Sequence, residues 1–138
     1  MRSTERIELA GGLGNQLFQF SAGIARALQN GTPVKFDTSR INHGVTTRDE
    51  VISDFVKIDS DKTVDFKFMK SKLPRYYDVA THRISTVRRV DEVFRPSYTS
   101  PVTGYDDNFM RLPHFNIARG YFQSWRYVDF LRKQNIQF

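Results

Sequence analysis

Apolar and polar positions change their period along the chain, and the changes mark the elements. Arg6-Ile7-Glu8-Leu9-Ala10 alternates, as a strand does, and runs straight into Gly11-Gly12-Leu13-Gly14, the composition of a tight turn. From Asn15 the apolar residues Leu17, Phe20, Ile24 and Leu28 recur at helical spacing, and Phe18, Ala22 and Ala25 widen the stripe, so the pattern predicts a mostly buried helix. Asn30-Gly31 supplies a C-terminal cap, and residues 33–37 read as a second strand. Strand, glycine turn, helix and strand within about 30 residues have the dimensions of a βαβ unit. The expected fold class is therefore α/β, with a parallel sheet flanked by helices, the strand at 6–10 central and parallel to that at 33–37.

The middle of the chain is less regular. Residues 38–47 are polar around an Asn-His-Gly turn, and 52–58 offers a weakly alternating strand candidate interrupted by Asp54, so loops are expected here. Residues 65–73 and 79–90 have helix-compatible spacing on either side of Pro74, which breaks a continuous helix. Residues 93–113 hold three of the five prolines and read as a long irregular crossing. Then 114–119 fits a strand, Gly120 a turn and 125–133 a short helix with Tyr127, Val128, Phe130 and Leu131 as its apolar members.

Composition narrows the classes. With no cysteine among 138 residues, disulfide scaffolds, zinc ribbons and thiol nucleophiles are excluded, and the fold rests on packing. Twelve Phe, six Tyr and one Trp supply that packing. The balance of 21 Lys+Arg against 15 Asp+Glu leaves a net charge of +6, which favours phosphate-bearing partners. The basic residues are scattered and no RNA-binding aromatic motif occurs, so no nucleic-acid partner is expected. No run approaches the roughly 20 apolar residues of a membrane span, and the charged start of the chain does not resemble an export signal. The expected location is a bacterial-type cytoplasm, either free or peripheral to a membrane.

The motif richest in chemistry is Gly11-Gly12-Leu13-Gly14-Asn15-Gln16 at the strand-to-helix junction, where backbone N–H groups and the positive end of the helix dipole meet an anionic or strongly polar ligand. The spacing fits neither the dinucleotide fingerprint nor a P-loop. Two uncharged carboxamides, Asn15 and Gln16, offer donors and acceptors to a polyhydroxylated or phosphorylated ligand. The same residues also suit a plain tight turn with Asn15 as helix cap. Residues alone leave both readings open.

The run Gly11-Gly12-Leu13-Gly14-Asn15-Gln16-Leu17-Phe18-Gln19-Phe20 with Ser21-Ala22-Gly23 resembles the N-terminal signature of the family 11 glycosyltransferases, the α-1,2-fucosyltransferases. A second block, Gly120-Tyr121-Phe122-Gln123-Ser124 with an aromatic at Tyr127, is similar to the Gly-Tyr-Phe-Gln-Ser element of that family. The resemblance implies a GT-B enzyme of two Rossmann-like domains that moves fucose from GDP-fucose to the 2-hydroxyl of a terminal galactoside, without a cofactor and without a metal. On that basis residues 1–138 are expected to form one Rossmann-like, acceptor-side N-terminal domain, a fragment or shortened product lacking the donor-binding C-terminal domain and incomplete as a catalyst alone. A complementary donor-binding half is the implied partner. The substrate-binding residues implied are Gly12, Gly14, Asn15, Gln16, Gln123 and Ser124, with no catalytic base assigned. The competing reading is a non-catalytic carbohydrate-binding or vestigial half-domain.

Three further features read as structural. Arg88-Arg89-Val90-Asp91 carries part of the family's His-x-Arg-Arg-x-Asp donor signature, but it has Thr86 where His belongs and precedes the Gln-Ser block, so a solvated helix face is the simpler reading. His43, His82 and His114 have no spacing that suggests a metal site or triad. The aromatics Tyr121, Phe122, Trp125, Tyr127 and Phe130 read as core, with a sugar-stacking platform as the alternative that Trp125 would test.

Overall fold

The computed structural model describes residues 4–39, 41, 52–56, 64–69, 97–113, 115 and 117–136. Five parallel strands form one sheet: β1 (Glu5–Glu8), β2 (Val34–Asp37), β3 (Phe66–Met69), β4 (Ser97–Thr99) and β5 (Ile117–Arg119), in the order β3-β2-β1-β5-β4. Helices α1 (Leu13–Asn30), α2 (Ile52–Phe55), α3 (Asp107–Arg111) and α4 (Trp125–Lys133) complete the described elements, and the fold is Rossmann-like α/β. β1 is central and parallel to β2, as the βαβ pattern predicts. The sequence order of strands is interrupted between β1 and β5. No helix among the described residues is long and apolar enough to cross a membrane.

α1 is buried almost all round because it has partners on several sides: β1 and β2 beneath it, α4 along it and α2 at its flank. Ile7, Phe20, Phe36, Phe66 and Phe68 form the core between α1 and the β1–β3 side of the sheet, with Phe20 and Phe36 ring centroids 4.7 Å apart. Gly23 lets the helix settle there, since a Cβ at this position would lie 2.5 Å from the Phe36 ring and 3.1 Å from Ile7. Gly31 closes α1 in the left-handed conformation, φ 63°, its N–H donating to Ala27 O.

A charge is locked inside this core. Arg26 of α1 and Glu5 of β1 are both essentially inaccessible to solvent, and the guanidinium is bidentate on the carboxylate, with Nε to Oε2 at 2.8 Å and Nη2 to Oε1 at 2.7 Å. Two further N–H groups reach Phe109 O and Leu112 O, and its plane lies 4.4 Å from the centroid of Phe115. One residue thus ties α1 to β1 and to the C-terminal half of α3 with its cap, Leu112.

Several boundaries and elements differ from the sequence expectation. The strand expected at 6–10 ends at Glu8, those expected at 33–37 and 114–119 begin at Val34 and Ile117, and α1 begins at Leu13 rather than at Asn15. Residues 66–69, expected as helix, form β3, because Phe66 and Phe68 pack beside Phe20 and Phe36 while the backbone pairs with β2; tertiary pairing outweighs a spacing that suits either period. Residues 52–55 form a single helical turn, with Ile52 and Val56 buried four residues apart. The segment expected to be irregular contains β4 and α3. β4 is a short edge strand without an apolar run, and α3 is signalled only by its cap, Asp106. The helix expected at 79–90, with Arg88, Arg89 and Asp91, lies outside the described residues, as do His43, His82, His114 and most of 38–47.

Asp106 also holds β4 to α4. Its Oδ2 accepts from the hydroxyls of Tyr98 and Ser100, the latter at 2.7 Å, its Oδ1 accepts from Phe109 N at 3.2 Å, and its own N–H donates to the Tyr127 hydroxyl at 2.9 Å. Burial alone would raise this carboxyl, but the Tyr98 and Ser100 hydroxyls and the Phe109 and Asn108 amides outweigh it and hold it below its ordinary value. Burial first, then the contact with Asp106, pushes the Tyr98 phenol well above its usual range, and burial pushes Tyr127 up to about 12. Since the folded carboxyl is the stronger acid, its contribution to stability is complete above the unfolded value of about 3.9 and is lost as pH falls through the folded value. Thermal melts from neutral to strongly acidic pH are expected to show Asp106→Asn less stable than the parent at neutral pH, with the gap narrowing as the medium is acidified.

Candidate functional site

The carboxyl ends of parallel strands are where open α/β sheets bind ligands, and both glycine-bearing blocks lie there. The first follows β1, the second follows β5, and these strands are neighbours in the sheet. An ion pair stitches the same edge, Arg119 Nε donating to Glu8 Oε2 at 3.0 Å.

Two carboxamides join the blocks directly. Gln19, a buried residue of α1, accepts from Ala10 N through Oε1 and donates from Nε2 to Gly120 O, at 2.9 Å and 2.8 Å. Gln123 Nε2 donates to Asn15 Oδ1 at 2.6 Å. Residues more than 100 positions apart thereby form one wall. Gln19 is the joining residue that pattern reading did not pick out; the available signal was a polar side chain in phase with the buried face of an apolar helix.

The glycine turn has a specific construction. Gly11 sits at φ 81°, and a Cβ there would lie 2.7 Å from Asn15 Nδ2, so the Asn15 amide rests directly over a bare Cα. Gly12 is the N-cap of α1 with no side-chain cap bond, so Asn15 is a residue of the first turn and not the cap. The N–H groups of Leu13, Gly14 and Asn15 precede the first intrahelical bond, from Gln16 N to Gly12 O at 3.0 Å, and the space over Gly14 is open. They are donors at the positive end of an 18-residue helix.

Each residue singled out in the sequence has a definite place. Asn15 and Gln123 meet, and among the described residues Asn15 Nδ2 and Gln123 Oε1 have no hydrogen-bond partner, so an amide nitrogen on a half-buried residue and an amide oxygen on an exposed one are unused. Gln16 points inward: it is buried, its Nε2 donates to Gly11 O at 2.8 Å, and its Oε1 has no partner. Ser124 Oγ accepts from Arg126 N at 3.2 Å and so caps α4. Gly12 and Gly14 form the helix entrance already described.

The second block is held under strain. Phe122 adopts φ 51°, a left-handed conformation that costs a bulky residue roughly 1–3 kcal/mol. Burial of its ring against Phe109, with centroids 4.5 Å apart, and the bond from Gln123 N to Thr103 O at 2.7 Å fix the turn. The result is that Phe122 points into the core while Tyr121 and Gln123 face solvent. Of the aromatics read as core, Phe122 and Tyr127 are buried and Phe130 is partly so, whereas Tyr121 is 50% and Trp125 69% exposed. Among the described residues no cluster of three or more potential metal ligands occurs.

Comparison of the chain with protein-family models, curated proteins and solved structures finds no match.

Proposed function

We propose that this chain is the acceptor-side, N-terminal part of a glycosyltransferase that moves fucose from GDP-fucose to the 2-hydroxyl of a terminal galactoside. The observation that carries the reading is the joining of the two signature-like blocks, Gln19 to Gly120 and Gln123 to Asn15, at the carboxyl edge of neighbouring strands. Gln19 also satisfies the main-chain Ala10 N–H and Gly120 C=O, so the Asn15–Gln123 pair, made between two side chains at the solvent-facing edge, is the part of the joining that bears on a ligand.

The chemistry follows from the groups present. Attack of a sugar hydroxyl on the anomeric carbon expels GDP, so the reaction needs donors where charge develops on the diphosphate and an oriented acceptor hydroxyl. The turn amides around Gly12 and Gly14 supply donors without requiring a charged side chain. Asn15 Nδ2 and Gln123 Oε1 supply one donor and one acceptor to neighbouring sugar hydroxyls. The remaining grip on the diphosphate belongs to a donor-binding half with the His-x-Arg-Arg-x-Asp run, in which this reading also places the GT-B partner domain.

The test is transfer itself. The 138-residue polypeptide alone is expected to give no fucose transfer to a lactose-type acceptor above spontaneous hydrolysis of the donor, and joining it to a donor-binding half is expected to restore transfer. Transfer by the isolated chain would move the donor site into these residues. A folded, joined protein that binds GDP-fucose and never transfers would defeat the proposal and leave a carbohydrate-binding half-domain.

A further inference from the structure

Beside the Asn15–Gln123 amide pair lies a second contact between the same two segments. Asn15 and Phe18 are three residues apart on α1 and so share a face, while Gln123 and Trp125 flank the cap residue Ser124. The Phe18 and Trp125 rings meet edge to face, with centroids 5.6 Å apart and planes at 77°. One amide pair and one aromatic pair therefore stand side by side along the seam between α1 and the start of α4.

We infer that this seam, Asn15 and Gln123 with Phe18 and Trp125, is a binding site for a single pyranose ring. A pyranose has an apolar face of C–H groups and a rim of hydroxyls, and it demands an aromatic surface beside paired donors and acceptors. The seam presents both. Trp125 is oriented by Phe18, yet 69% of it remains exposed, so core packing does not account for its position. Asn15 Nδ2 and Gln123 Oε1 are the unused donor and acceptor on the neighbouring amides. The exposed large apolar residues among those described are Val102, Tyr121 and Trp125, and docking of a second copy of the chain through Trp125 is kept as an outcome of the test.

The inference goes beyond fucose transfer, because it requires sugar binding by this chain with no donor present. It rests on the transferase reading only for the choice of a galactoside as probe. Trp125 is the single tryptophan among six tyrosines, so fluorescence excited selectively in the tryptophan band reports this residue. Titration of the full chain with lactose is expected to give a saturable change, and the open-chain polyol sorbitol a small, linear one. Saturation-transfer NMR, which needs no tryptophan, is expected to show lactose binding weakened by about tenfold or more in Trp125→Ala and in Gln123→Ala, with Trp125→Phe keeping most of it. Circular dichroism checks that each variant is folded.

Equal responses to lactose and sorbitol would overturn the inference, as would lactose binding undiminished in folded Trp125→Ala. A fluorescence change that follows protein concentration instead of lactose would assign the seam to a second copy of the chain, and would overturn it too. The two readings fail separately. Joined protein that transfers fucose while the chain never binds lactose defeats this inference alone, and lactose binding without any transfer defeats the transferase reading alone.

Discussion

Glu5→Ala is expected to destabilise the protein by about 3–5 kcal/mol, because it leaves the Arg26 guanidinium as an uncompensated charge in a dry core. At this chain length that loss corresponds to a fall in Tm on the order of 10–20 °C. The geometry sets the size of the effect. Both partners are almost wholly inaccessible, the pair is bidentate, and two further guanidinium N–H groups are already committed to Phe109 O and Leu112 O. No rotation brings Arg26 to water without opening the packing of α1 on β1. Arg26→Met is expected to cost a similar amount for the complementary reason, a stranded carboxylate and two carbonyls without donors.

The double variant Glu5→Ala/Arg26→Met separates the charge term from the rest. Removing both ions together should cost clearly less than the sum of the single changes, since neither leaves a buried charge behind. It should still not recover parent stability, because the Phe109 and Leu112 carbonyls lose their donor. Chemical denaturation of the four proteins measures the cycle. Additive losses would show that the pair acts as two separate contacts and not as a closed unit.

In the joined, donor-competent protein, Asn15→Ala is expected to lower fucose transfer by several hundredfold while shifting stability little. The structure removes the role that would have made this a stability change, since Gly12 caps α1 and Asn15 has no capping bond. What Asn15 loses is the exposed hydrogen bond from Gln123, about 0.5–1.5 kcal/mol, partly offset by the better helix propensity of alanine. A donor whose hydrogen bond to a sugar hydroxyl strengthens as the transition state forms is worth several kcal/mol, here roughly 2.7–4 kcal/mol. Gln123→Ala removes both the group that orients Asn15 and an acceptor to the sugar; it is expected to lower transfer less than Asn15→Ala, with the double variant below either single one. Rates are to be compared once both variants melt within a few degrees of the parent. Normal transfer by an early-melting Asn15→Ala would return the residue to a purely structural role.

The first 37 residues were legible because local and tertiary preferences agree there. Alternation in β1, the glycine turn, the apolar stripe of α1 and the glycine cap all select one βαβ unit, and the parallel β1–β2 pair follows. The same agreement made α4 readable over 125–133, while its cap, Ser124, was read from the resemblance as a substrate-binding residue and was found as a cap only in the structure. By itself the sequence determined the fold class, the place of both glycine-bearing blocks at turns, and the choice of Asn15 and Gln123 as candidates.

Elsewhere the deciding interactions were long-range. β3 is a strand because β2 pairs with it and Phe20 and Phe36 receive its phenylalanines; its own four residues suit either period. α3 exists through a cap whose carboxylate is shared with Tyr98, Ser100 and Tyr127, and β4 through its pairing with β5. The apolar period of α1 did not single out Arg26, and its partner Glu5 lies 21 positions away on a strand. Trp125 shows the converse: aromatic clustering suggested core, while tertiary packing buried Phe122 and Tyr127 and left the indole in solvent. Hydrophobic period records which face of an element turns inward, but only the assembled sheet decides which distant amides, charges and rings meet. That is why the joining of Asn15 to Gln123 and of Gln19 to Gly120 belongs to the tertiary structure alone.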